Sequence, residues 1–361
     1  MAINQELKTE PRNYKIAFIT TPLYRENRTV DLIEFICSHM FSICKNFDVI
    51  STGQTRAFIA DLVSSGSYSD FQNNIMVNPK FLQKVNLTPK DETRVRLLIK
   101  RIMADTHQPS ADLAYEEWSQ TIRNSITEGE KIDAGLLGMV DIICEVIGER
   151  LNAVIHLTDW QDKASKMDSA VLSREANVHN VPIATNIETA SNLLKLWCRD
   201  ITSGRDPFEN SERAPKAIDV ADPLNGITTN DRVLAIISHD GKKLEMSKFV
   251  VKHARDILKY HFILATGTTG SYIKKFLEAK GFGEQAKNQV RCCNSGPEGG
   301  DLQIAYAVVH GKCQDIIFFQ DPKVSHPHDA DIRLLEQAVL TSGVHARIAT
   351  NQATAAMLIR R

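Results

Sequence analysis

Arg232-Val-Leu-Ala-Ile-Ile-Ser238 and His261-Phe-Ile-Leu-Ala265, the second running straight into Thr266-Gly-Thr-Thr-Gly270, decide how the second half of the chain folds. Both are short apolar runs of the kind buried on both faces of a parallel sheet. Met246–Leu258 between them reads as a helix, and strand, helix, strand with glycine at the turn is a βαβ unit. Downstream, residues 290–294, 315–320 and 345–350 read as three more strands, giving five in all.

Upstream the pattern repeats. Tyr14–Thr20 and Phe47–Ser51 read as strands, and Val30–Lys45 as a helix with Ile33, Ile36, Cys37, Met40 and Phe41 on one stripe. Residues 51–59 (STGQTRAFI) lie on 265–273 (ATGTTGSYI) at an offset of 214; Ile183-Ala-Thr-Asn186 lies on Ile348-Ala-Thr-Asn351, and Asp159 on Asp321. A fixed-order self-match of this kind reads as a tandem duplication. The expected fold is therefore α/β: two tandem Rossmann-like domains, each a parallel five-stranded sheet with helices on both faces. The offset falls to 163 by Gly148 and Gly311, which places 51 extra residues in the first copy, within 60–134. That insert carries helical stretches near 90–105 and 110–126, the latter with Leu113, Ala114, Trp118 and Ile122; packing or subunit contact is the plainer role for them than a lid. The expected boundaries are 1–202 for the first domain, 203–230 for a Pro-, Gly- and Asp-rich linker, and 231–361 for the second domain.

At 361 residues, about two domains are expected. A formal charge of −1, with no cluster of Lys and Arg, speaks against nucleic acid and anionic membranes as partners. A polar N-terminus and the lack of a long apolar run point to a cytoplasmic chain without a membrane span. Seven cysteines without metal spacing read as small buried apolar residues.

In an open α/β sheet, ligands sit beyond the carboxyl ends of the strands. Those ends carry, in order, His239-Asp240 with Lys243; Thr266, Thr268 and Thr269; Ser295-Gly296 leading to Asp301; Asp321; and Asn351. The Thr-Gly turn opens a helix, where N–H groups and hydroxyls meet an anion; taken alone it caps a helix equally well. Asp301 is a possible base if its site is partly dehydrated, the plainer role being an N-cap. His328 and Asp331 fall on one helical turn, where the carboxylate could orient the imidazole. In the first copy Thr21-Pro22 replaces His239-Asp240 and Gly138 stands where Asp301 does, while Arg25, Thr52 and Thr55 keep the pattern of a vestigial anion site.

Ser238-His-Asp-Gly-Lys-Lys243, Ala265-Thr-Gly-Thr-Thr-Gly270, Ser295-Gly-Pro-Glu-Gly-Gly-Asp-Leu-Gln303, Phe318-Phe-Gln-Asp-Pro322, Pro327-His-Asp-Ala-Asp331 and Ile348-Ala-Thr-Asn-Gln-Ala-Thr354 together resemble the ordered motifs of the methylglyoxal synthase family over roughly 231–361. The resemblance implies a lyase that needs no metal or other cofactor and converts dihydroxyacetone phosphate into methylglyoxal and inorganic phosphate. It further implies Asp301 as the base, His328 as proton shuttle oriented by Asp331, His239 near the substrate oxygens, and Asp240 and Asp321 shaping the pocket. Lys243, Thr266, Thr268, Thr269, Ser295 and Gly296 would hold the phosphate, and a homo-oligomer is expected. Two other readings stand beside it: a noncatalytic phosphate- or effector-binding module, and a metal-dependent hydrolase with His239, Asp240, His326, His328 and Asp329 as ligands.

Overall fold

The computed structural model describes residues 14–64, 67–71, 93, 94, 97, 100, 110–128, 132–159, 161–209, 222–321, 323, 324, 328–341 and 346–359. His326 and most of the expected helix near 90–105 lie outside these. The chain forms two compact units: one of Met1–Gly138, Gly148–Ser169 and His179–Arg213, the other of Ala214–Arg361 together with Met139–Ile147 and Ala170–Val178.

In the first unit, β1 (Lys15–Thr20) is followed by α1 (Pro22–Asn27), α2 (Thr29–Phe35), a π-helical turn over Ile36–Met40, and α3 (Phe41–Asn46). Next come β2 (Asp48–Ile50), α4 (Gly53–Leu62), α5 (Ala111–Glu128), α6 (Gly135–Ile147), β3 (Ala153–Leu157), α7 (Lys166–Val178), β4 (Ile183–Ala184) and α8 (Ile187–Thr202). All pairings are parallel, in the order β2-β1-β3-β4, with Ile16 beside Val49 on one side and Ala153 on the other. This sheet has four strands among the described residues where five were expected. The chain that precedes α6 is helical because residues 113–126 bury Ala114, Tyr115, Trp118, Ile122 and Ile126 at a helical period, which no strand could place on one face. Leu113, counted on the same stripe, is instead 47% exposed. Tyr115 and Trp118 pack on Phe71 with tilted rings, so the extra residues extend the core of this unit.

The second unit contains β5 (Val233–Ser238), a 3-10 turn at Asp240–Lys242, α9 (Lys243–Lys252), α10 (Ala254–Ile257), β6 (Phe262–Ala265), α11 (Gly267–Glu278) and α12 (Gly283–Gln289). It continues with β7 (Val290–Cys292), a 3-10 turn at Gly296–Glu298, α13 (Gly300–Val309), β8 (Asp315–Phe319), α14 (Asp329–Thr341), β9 (Arg347–Ala349) and α15 (Gln352–Leu358). Its five parallel strands run β7-β6-β5-β8-β9. Every residue of β5 is buried, as its apolar sequence requires of a central strand. At the amino end of the sheet the buried Asp315 accepts from Tyr260 Oη at 2.8 Å and from the part-exposed Arg347 Nε at 2.7 Å.

The two units share local detail. Asn186 caps α8 by accepting from Thr189 N at 2.8 Å, and Asn351 caps α15 by accepting from Thr354 N at 3.0 Å. Thr55 Oγ1 lies 3.2 Å from Thr20 Oγ1 and 3.0 Å from Thr52 Oγ1; Thr269 Oγ1 lies 3.3 Å from both Ser238 Oγ and Thr266 Oγ1. The carbonyl of Asp133 accepts from Gly53 N and that of Asn294 from Gly267 N. Among the described residues no helix is long and apolar enough to cross a membrane.

Candidate active site

The carboxyl ends of β7, β6, β5 and β8 lie side by side, so the loops after them form one edge. Glycine lets these loops approach. A Cβ at Gly300 would lie 2.0 Å from Asn294 O, so no other residue fits where the 293–300 loop folds back on α13. Gly299 before it adopts φ 89°, the left-handed region that glycine enters without strain.

That fold-back puts Asp301 in the first turn of α13, 1% exposed. His328, 9% exposed, precedes α14 and brings Nε2 within 3.4 Å of Asp301 Oδ2. Gly296 lies against both: a Cβ there would stand 3.0 Å from His328 Nε2 and 3.1 Å from Asp301 Oδ2. Asp301 Oδ1 is buried with no hydrogen-bond partner among the described residues. A structural N-cap would accept N–H bonds; Asp301 Oδ1 accepts none among the described residues, and Gly299 holds the cap position. Burial is the main reason its pKa is pushed up to about 7; the Arg174 guanidinium opposes the shift and Glu175 adds to it.

Asp331, fully buried, accepts from Arg174 Nη1 at 2.7 Å, and its pKa is likewise raised to about 7, by burial first and then by Glu175. Asp331 and Glu175 both accept from Arg174 Nη1, and the same guanidinium acts electrostatically on the buried Asp301. Arg174 belongs to Ala170–Val178 of α7, within the second unit, and sequence reading missed it because Asp331 and Pro297, its partners at the site, are more than a hundred residues away. Its only sequence signal is a charged pair, Arg174-Glu175, beside apolar residues of a helix.

His239 is 8% exposed, edge-on to Phe318 at 5.0 Å, and its Nδ1 accepts from Asp321 N at 2.8 Å. In a neutral ring that bond leaves the proton on Nε2, a donor suited to an oxygen that gains negative charge. Asp321 Oδ1 accepts from Lys323 N at 3.1 Å, and its Oδ2 faces Gly241. Thr266 and Thr269 are buried, Thr268 is exposed, and the N-terminus of α11 begins beside Ser295, whose N lies 3.3 Å from where a Gly267 Cβ would be. Lys243 is ion-paired with the exposed Asp240. The threonine turn, Ser295-Gly296 and the Asp301–His328 pair are thus brought together.

In the first unit Arg25 donates to Thr20 O and Oγ1 and, at 2.6 Å, to Gln54 Oε1, while Thr52 and Thr55 bond each other. A cavity of about 510 Å³ in that unit lies elsewhere on the same edge, lined by Tyr24, Arg28, His39, Asp159, Asn186 and Glu188 among others.

A methylglyoxal synthase of Thermus thermophilus is 41% identical over 128 residues, 36% of this chain and 92% of the relative. That of Bacillus subtilis strain 168 is 39% identical over 127 residues, 35% of this chain and 84% of the relative, and that of Exiguobacterium sp. is 38% identical with the same coverage. A solved methylglyoxal synthase from Elizabethkingia anophelis NUHP1 is 30% identical, covers 36% of this chain and 78% of its own, and has a TM-score of 0.31. No family model matches the chain. With more than four fifths of each of the three relatives covered at 38–41% identity, the chain belongs to the methylglyoxal synthase family.

Proposed function

We propose that the second unit is a methylglyoxal synthase that eliminates phosphate from dihydroxyacetone phosphate. The observation that carries the reading is the buried Asp301 carboxylate, with one oxygen 3.4 Å from His328 Nε2 and the other without a hydrogen-bond partner among the described residues. A desolvated carboxylate of raised pKa is a stronger base than one in water and suits a carbon acid. Asp301 takes a proton from C3, and the electron pair becomes the C2–C3 double bond of an enediolate. His239 Nε2–H and His328 donate to the oxygens as charge develops on them. The electrons then expel phosphate from C1, and the resulting enol ketonises to methylglyoxal. Thr266, Thr268, Thr269, Ser295 and Gly296, at the start of α11 and the adjoining turn, hold the leaving phosphate. Lys243 exchanges Asp240 for that anion, and Asp321 fixes the His239 ring through its own N–H.

The first unit reads as a duplicated copy without this chemistry. Its cap asparagine, threonine bridges and glycine-to-carbonyl contacts each have a counterpart in the second unit. They also move the correspondence by one residue. Gly138, whose Cβ would meet Asp133 O at 1.8 Å, behaves as Gly300 does, so Met139 stands at the position of Asp301. The functional reading is tested by incubating the purified chain with dihydroxyacetone phosphate and a chelator. Equal yields of methylglyoxal and inorganic phosphate are expected; phosphate without methylglyoxal, or activity that the chelator removes, would point to the hydrolase instead.

A further inference from the structure

Arg174 is the odd member of the cluster around Asp301. It lies in the stretch that sequence reading assigns to the first domain, yet it packs within the second unit with its side chain only 20% exposed. Its fork is used from both ends: Nη1 donates to Asp331 Oδ2 at 2.7 Å and to Glu175 Oε1, and Nη2 donates to the carbonyl of Pro297 at 2.6 Å. Pro297 follows Gly296 in the loop against Asp301 and His328, and Asp331 lies in the first turn of the helix that His328 precedes. One guanidinium therefore fastens the loop on one side of the pair to the helix on the other. Neighbouring contacts keep α7 and α6 in place: Ile147 and Glu175 lie against Gly299, and His310 Nε2 is 2.6 Å from Asp141 Oδ1.

We infer that Arg174, braced by Glu175, is a positioning residue of the active site: it clamps the Pro297 carbonyl to Asp331 and so sets the distance between Asp301 and His328. Residues 231–361 alone then do not contain the whole site; a helix from the first half of the sequence completes it. The inference rests on the reading of Asp301 and His328 given above. The planar fork is essential, because an ammonium supplies the charge but cannot reach both partners in fixed geometry.

The test uses full-length Arg174→Lys, Arg174→Met and Arg174→Met/Glu175→Gln chains. The double variant removes one of the two carboxylates that Arg174→Met leaves buried without their guanidinium, which lessens the cost to folding. All three are expected to lose about 10- to 100-fold in kcat with KM for dihydroxyacetone phosphate changed less than about threefold, as misplacement of reacting groups does. A second readout is carboxyl NMR of Asp301 and Asp331. The groups that face them are Arg174 and Glu175 from α7, His328 before α14 and, for Asp301, Cys293 after β7, besides each other. Loss of the cation in Arg174→Met moves both titrations to higher pH, and Arg174→Lys moves them least while still losing kcat. Wild-type kcat in the Lys and double variants would overturn the clamp, as would unmoved titrations in Arg174→Met. If the wild-type chain forms no methylglyoxal, the functional reading fails, and the titrations alone decide whether Arg174 holds this cluster.

Discussion

Asp301 concentrates the tension between stability and chemistry. Its carboxyl is held near pKa 7 by burial, with Arg174 pulling the other way. If it must be ionised to act, kcat/KM rises about tenfold per pH unit below 7 and levels off above it, measurable as the acidic limb of the profile. The sign for stability is opposite. The folded state binds a proton at Asp301 more tightly than the unfolded chain does, so its contribution is complete below the unfolded carboxyl pKa and is lost as pH rises through about 7. Asp301→Asn should therefore raise stability at pH 8 by roughly 1–3 kcal/mol and by much less at pH 4, seen in urea unfolding at the two pH values. Gly296→Ala makes a different point. Its methyl would press on both His328 Nε2 and Asp301 Oδ2, so turnover should fall by about 10²-fold while the unfolding midpoint moves little.

At the scale of elements, the strands and the glycine turns were legible because a buried parallel strand is an unbroken apolar run and a loop that folds back needs glycine. The five strands of the second sheet follow from the first of those rules. The helix of the extra residues was legible from its period, but the four-stranded first sheet was not: a fifth strand was expected there by likeness to the second copy, and the described residues form four. Nor was the clamp. A surface-like Arg-Glu pair says nothing of partners 157 residues distant, since they are set by how α7 packs. The first-unit helices offer a plain check. Asn186→Ala removes the acceptor for Thr189 N at the start of α8 and should cost about 1 kcal/mol in chemical unfolding, with no effect on turnover.

For the molecule as a whole, the two sheets share a plan, and among the described residues the Asp301–His328 pair proposed to carry the chemistry belongs to the second. Arg25 already donates to Thr20 and Gln54, so calorimetric titration with inorganic phosphate should give about one site per chain; two sites would mean that the first unit retains one. The central claim is that the chemistry belongs to Asp301, and one comparison tests it most directly: turnover of dihydroxyacetone phosphate by the wild-type chain and by Asp301→Asn, alongside the affinity of each for phosphoglycolate. Methylglyoxal formation in the wild type, its loss by at least about 10³-fold in the variant, and phosphoglycolate bound within about threefold by both is the expected result. Turnover retained in Asp301→Asn would contradict the account.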